Sequence, residues 1–212
     1  MRPHPPASHR PAPAPPPASP SPAAAAPRYA PLRVHGVHSL LTGVDRPRRL
    51  LERAAELGAP ALALTDVGNL AGLVEFLQAA ADLAARGPAA PRPIVGAELA
   101  DGGGRPGRLV ALVESGAGYR QLCKLVSAAA LGADPGAHGA DLPGPEHFDL
   151  IDAAVRHREG LVFLADHPRL LYGLKERLRD EQLFAALTPA GSGAAAQGAR
   201  ARARPSARLS EA

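Results

Sequence analysis

The sequence predicts an α/β fold with a parallel sheet. Three observations carry this. Short apolar runs alternate with amphipathic stretches along the middle of the chain. The connections between them are brief, as in β/α units. The run Ala61–Thr65 is continuously apolar up to its last residue, the pattern of a strand buried on both faces. In folds of this class functional groups collect at the carboxyl ends of strands. The stretches to inspect are then His35–Thr42, Asp66–Asn69, Glu98–Gly104 and the residues after Val113.

The elements follow in order. Leu32–Gly36 alternates apolar and polar residues and reads as a strand. Asp45 can cap the next helix, with Pro47 in its first turn, where a missing N–H costs little. Leu50, Leu51, Ala54 and Leu57 recur at helical spacing, and Gly58 is a fitting stop. After the strand Ala61–Thr65, Asn69 can cap a helix whose stripe is Leu70, Leu73, Val74, Leu77 and Ala81, ended by Gly87 and Pro88. Pro93–Leu99 and Leu109–Val113 read as strands three and four, with Gly102–Gly104 as the tip between them. No Lys-Ser/Thr follows those glycines, so they are not a phosphate-cradling loop. A helix over about 117–131 carries Tyr119, Leu122, Val126 and Ala129 on its core face. A Gly/Pro/His-rich loop covers about 132–144. Then come a helix near 145–157, a strand Leu161–Leu164, a helix Pro168–Leu178 and a last strand Leu183–Leu187.

Charge and proline are unevenly placed. The 212 residues carry a net +4 and a pI of about 9.8, which invites a nucleic-acid reading. Residues 1–28 hold Arg2, Arg10 and Arg28 amid Pro and Ala, and no acid. Residues 189–212 carry Arg200, Arg202, Arg204 and Arg208 against Glu211. Each tail is thus +3, and the middle is mildly acidic. The basicity belongs to the tails, which read as disordered extensions flanking one domain at 29–188. The single Cys123 excludes an intramolecular disulfide framework and reads as a buried, inert thiol. No stretch has the ~18 apolar residues of a membrane span, and the leader lacks a signal-peptide core. The expected location is the cytoplasm. His138, His147, His157 and His167 lack ligand spacing and read as surface histidines.

The strand ends carry a pattern. LRVHGVHSLLTGV at 32–44, ERAAELGAPALALTDVGNLAGLVEF at 52–76, PIVGAEL at 93–99 and GYRQLCKLVSAA at 118–129 follow in order. Together they resemble the PHP (polymerase and histidinol phosphatase) domain at the N-terminus of bacterial DNA polymerase III alpha subunits, over about 29–188. The resemblance implies a distorted barrel of seven β/α units, incomplete here at the C-terminus. Active members hold two or three zinc or manganese ions and hydrolyse phosphoesters.

Carried over residue by residue, the ligand set is degenerate. The family's first strand has His-x-His with an acid seven residues later. This chain has Arg33, His35 and Thr42. The family's Thr-Asp-His-Gly reads Thr65-Asp66-Val67-Gly68, which puts Val67 at the ligand position. Glu98 matches the Gly-x-Glu acid, and Arg108 replaces the His that opens the next strand. Of these six positions only His35 and Glu98 retain a ligand. Arg33 and His35 lie two apart on a strand and share a face. Arg33 is therefore expected to pair with Glu98 and stand in for the cation. His38, three residues from His35, reaches that face only if the chain turns after Gly36. Asp66 reads as ordering its turn and Asn69 as a cap.

The resemblance implies a non-catalytic scaffold that binds no metal cofactor, touches DNA only indirectly, and has as partners the other polymerase domains or a proofreading subunit. The competing expectation is a stand-alone metal-dependent phosphoesterase using His35, Glu98 and Asp66, with His38 as a further candidate. A remnant without function is a third reading.

Overall fold

The computed structural model describes residues 29–87, 90–133 and 143–187. The tails, His138 and most of the 132–144 loop lie outside the described residues. The elements in chain order are α1 (Pro47–Glu56), β1 (Ala61–Leu64), α2 (Leu73–Arg86), β2 (Arg92–Ala100), β3 (Arg108–Val113), α3 (Gly116–Leu131), α4 (Leu150–Arg156), β4 (Leu161–Ala165), α5 (Pro168–Lys175) and β5 (Leu183–Ala185). Short 3-10 turns lie at Gly102–Gly104, Pro145–His147 and Asp180–Gln182.

The five strands form one sheet in the order β1-β2-β3-β4-β5. It is mixed, which corrects the parallel sheet expected from the sequence. β1–β2 and β4–β5 are parallel, whereas β2–β3 and β3–β4 are antiparallel. The connection lengths explain this. Residues 101–107 are too few for a parallel crossover, so the glycine tip closes a hairpin. Two helices, α3 and α4, separate β3 from β4 and reverse the return, while one helix joins each parallel pair.

Leu32–Gly36 is extended but forms no regular strand. It runs beside β1 through Ala63 N–H to Pro31 O (2.9 Å) and Thr65 N–H to Val34 O (2.8 Å). Two residues of β1 step against three of the segment, which breaks the ladder. β2 is the pivot of the sheet. Arg92–Val95 pair with β1, and Gly96–Ala100 pair with β3. At Gly96 a Cβ would lie 2.7 Å from Ala111 O and 3.0 Å from Thr65 Cγ2, so only glycine fits between the two partners.

Helices cover one face. α1 and α2 pack Leu51, Ala54, Leu73 and Phe76 on Leu62 and Leu64. α3, α4 and α5 pack Leu122, Leu125, Leu150, Leu170 and Leu174 on Leu99, Leu109, Leu161 and Phe163. Each such fully buried side chain contributes about 1.5–3 kcal/mol. Ala63, Val110 and Leu112 form a smaller cluster on the other face.

Several local expectations need correction. α1 is preceded by Arg46 with no side-chain cap, so Asp45 does not cap it, and Leu57 is exposed. α2 begins at Leu73, later than expected, and its buried stripe is Leu73, Phe76, Ala79 and Ala80, leaving Val74 and Leu77 exposed. α3 buries Leu122, Leu125 and Ala128, so Tyr119 turns outward. Ser115 caps it by accepting the Gly118 N–H. The helix expected at 145–157 is split, because Asp149 caps a fresh start by accepting the Asp152 N–H. α5 ends at Lys175 and β5 at Ala185, both short of the expected limits. Cys123 is only half-buried.

Candidate functional site

Alternation along β2 sends Ala97 and Leu99 into the helix-covered core and Glu98 to the opposite face. Glu98 is 3% exposed and is the centre of the site. Arg33 Nε donates to Glu98 Oε2 at 2.5 Å, the pair expected from the sequence. The same guanidinium reaches Asp166 Oδ2 through Nη1 at 3.2 Å. His35 Nε2 lies 2.9 Å from Glu98 Oε2. Arg108 Nη1 stands 3.9 Å from Glu98 Oε1. Its backbone N–H donates to Asp166 Oδ1 at 2.7 Å. One carboxylate is thus shared by two arginines and a histidine, with a second carboxylate behind Arg33.

The electrostatics follow. Burial pushes the Glu98 carboxyl up, but the hydrogen bond and charge of Arg33, then His35, outweigh it and hold the pKa below the ordinary carboxylate value. The hydrogen bond that Arg33 donates to Glu98 raises the Arg33 pKa, outweighing burial.

The other predicted positions divide. Val67 lies beside Glu98, joined by a parallel bridge in which Gly68 N–H donates to Glu98 O at 2.8 Å. Its isopropyl group brings no donor atom. Thr42 is exposed and turns back on its own loop, donating to Ser39 O at 3.1 Å. The Asp66 side chain does not order its own turn, contrary to expectation. Its Oδ1 accepts the Gly36 N–H (2.7 Å) and the Ser39 hydroxyl (2.6 Å), holding the base of the 36–43 loop. Asn69 is not a helix cap either. Its side chain donates to His38 O and Val67 O and accepts the Ala71 N–H, pinning the strand-to-helix turn. His38 is half-buried and has no contact with Glu98 among the described bonds; its ring carbon Cδ2 faces Gly72.

Asp166 was missed by the sequence reading, although it directly follows the apolar run Leu161–Ala165 and obeys the same strand-end rule that selected Glu98. His157 was also misjudged. It is 7% exposed, with Nδ1 3.0 Å from Gln121 Oε1. Burial, then the charges of Arg156 and Lys124, push its pKa down. His167 caps α5 by accepting the Arg169 N–H. His147 is exposed, as expected.

The donor set does not fit a metal cluster. Arg33 lies against both carboxylates that would have to turn toward a cation. Asp66 Oδ2 is a buried oxygen without a hydrogen-bond partner among the described residues, but one carboxylate oxygen is not a site. Among the described residues no three His, Cys, Asp or Glu side chains converge in metal-binding geometry.

Comparison with known proteins places this geometry. The chain is 47% identical over 109 residues to an error-prone DNA polymerase of Anaeromyxobacter sp. (strain K), covering 50% of this chain and 9% of that protein. It is 35% identical over 143 residues to a DNA polymerase III subunit alpha of Neisseria meningitidis, covering 66% of this chain and 12% of that protein. The chain therefore spans about a tenth of the length of the curated relatives it matches. A solved amidohydrolase of Chromobacterium violaceum superposes with a TM-score of 0.42 at 17% identity, over 73% of this chain and 75% of the other. Residues 31–181 match the model of the PHP domain family, and the chain belongs to that family.

Proposed function

We propose that this PHP domain is a non-catalytic scaffold within a polymerase of the alpha-subunit or error-prone type, acting in DNA replication or repair. The observation that carries the reading is the Arg33 guanidinium, 2.5 Å from Glu98 and 3.2 Å from Asp166. A fixed, delocalised cation on those carboxylates does electrostatically what a bound metal ion would do, and it cannot activate water. Arg108 adds a second positive charge at 3.9 Å. The five described strands are read as part of the seven-unit distorted barrel, with 29–188 as the domain. Its partners are the other polymerase domains or a proofreading subunit, in the cytoplasm. No helix among the described residues is long and apolar enough to cross a membrane.

The test is metal content and hydrolysis by the purified chain. Dialysis against zinc or manganese should leave no stoichiometric metal, and p-nitrophenyl phosphate should not be cleaved. Stoichiometric metal together with hydrolysis that H35A abolishes would establish the phosphoesterase instead.

A further inference from the structure

At the end of the sheet remote from Glu98 lies a half-open groove of about 700 Å³. Arg158–Gly160 precede the amino end of β4, and Arg179–Gln182 precede that of β5, which runs parallel to it. Four guanidinium groups line the groove, from Arg156, Arg158, Arg177 and Arg179, against the carboxylates of Glu159 and Glu176. Arginines outnumber the acids of the lining, although Arg177 is paired with Asp152 at its edge.

Three of the arginines are held, which lowers the cost of ordering them around a ligand. Arg158 Nη1 donates to Val155 O at 2.7 Å, and Arg177 Nη1 to Asp152 Oδ1 at 2.7 Å. Gln182, 3% exposed, is the organising residue. Its Nε2 donates to Arg158 O (2.9 Å) and Leu161 O (3.1 Å), and its Oε1 accepts from Arg179 Nε (3.1 Å). The bonds donated by Arg158, Arg177 and Arg179 each use one of the five N–H donors of a guanidinium. Gly160, in the groove wall, sits against the start of α3. A Cβ there would lie 2.3 Å from Ser115 Oγ and 2.7 Å from Gly118 N. Gly160 thus packs closely on the start of α3, whose Gly118 N–H is already taken by Ser115 Oγ.

We propose that this groove binds a phosphate-bearing anion with two or more phosphate groups, of the nucleoside polyphosphate or phosphodiester class. Planar guanidinium forks suit phosphate oxygens, and the volume falls in the range of small-ligand sites. The inference is independent of whether the Glu98 site is catalytic.

The experiment is calorimetric titration of the full chain with pyrophosphate, ATP and a short oligothymidylate. Pyrophosphate and ATP should bind with Kd below about 1 mM, and R158A/R179A should weaken binding at least ~10-fold. E159Q/E176Q should tighten it severalfold, which keeps the test readable if the arginine variant misfolds. Oligothymidylate binding tighter than ATP, falling about tenfold between roughly 50 and 200 mM salt, identifies a strand as the source. Equal or weaker binding identifies a free nucleotide. The proposal fails if none of the three binds below about 10 mM, if R158A/R179A folds and binds like the parent, or if E159Q/E176Q leaves affinity unchanged.

Discussion

Glu98 and Asp101 lie three residues apart at the end of β2, and both are buried carboxylates served by two arginines. Glu98 takes Arg33 and Arg108 on the helix-free face. Asp101, whose side chain is fully buried, takes Arg169 and Arg105 and accepts the Leu150 N–H at 3.0 Å. The Asp101 cluster ties the glycine tip to the starts of α4 and α5, and it lies at no family ligand position. The Glu98 cluster joins the 31–35 segment to β2, β3 and the end of β4, where active relatives of the domain would hold metal. The contrast teaches that an arginine on a buried carboxylate is ordinary structural chemistry in this chain. What makes Glu98 informative is its location, beside His35 and Val67, rather than the pairing itself.

That comparison can be broken by removing one partner at a time. D101A should be the most damaging change. It strands two guanidinium groups and a backbone N–H around a buried gap, at a cost of about 3–5 kcal/mol. Urea unfolding followed by circular dichroism reads this directly. A loss smaller than that of R33M would reverse the assigned roles.

R33M should cost less, about 1–3 kcal/mol at pH 7, because the Arg33 side chain is 30% exposed and its pairing is partly screened. Its pH dependence sharpens the comparison. The Glu98 pKa lies below its ordinary value in the fold. The pair therefore stabilises fully above the ordinary carboxylate pKa, and this contribution is lost as pH falls through the lowered one. The gap between parent and R33M should hold from neutral pH down to the ordinary carboxylate range and shrink below it, as pH falls through the lowered Glu98 pKa. A gap that stays constant below that range would mean the variant acts through packing.

R108M should be mildest, about 0.2–1 kcal/mol. Its guanidinium is 3.9 Å from Glu98 and 45% exposed, and the backbone bond to Asp166 survives the change. Thermal denaturation of R108M beside R33M ranks the two cations. A larger loss for R108M would make Arg108 the principal counter-charge.

Much of this arrangement was legible because local pattern and tertiary role agree. Ala61–Leu64 is apolar throughout because both its faces are covered. The Arg33–Glu98 pair followed from the family resemblance, which set both residues at ligand positions, together with the alternation that puts Arg33 and His35 on one face. The sheet direction was not read correctly, although the glycine tip and the seven-residue connection between Ala100 and Arg108 carried the signal for a hairpin. Val74, Leu77 and Tyr119 misled because apolar residues at helical spacing also occur on solvent faces. Asp101–Arg169 spans 68 residues and joins a turn to a helix start, so no periodicity marks it. His157 looked superficial because its cover comes from Gln121, one helix and a loop earlier in the chain.

The pivot at Gly96 has a further consequence, for cooperativity. Among the described residues, one continuous strand is the only regular ladder shared by the half of the sheet that carries Val67 and the half that carries Arg108 and Asp166. The two sides of the Glu98 site therefore cannot separate by a local opening. Parting them means undoing β2 itself, so opening of the site and loss of the fold should be the same event.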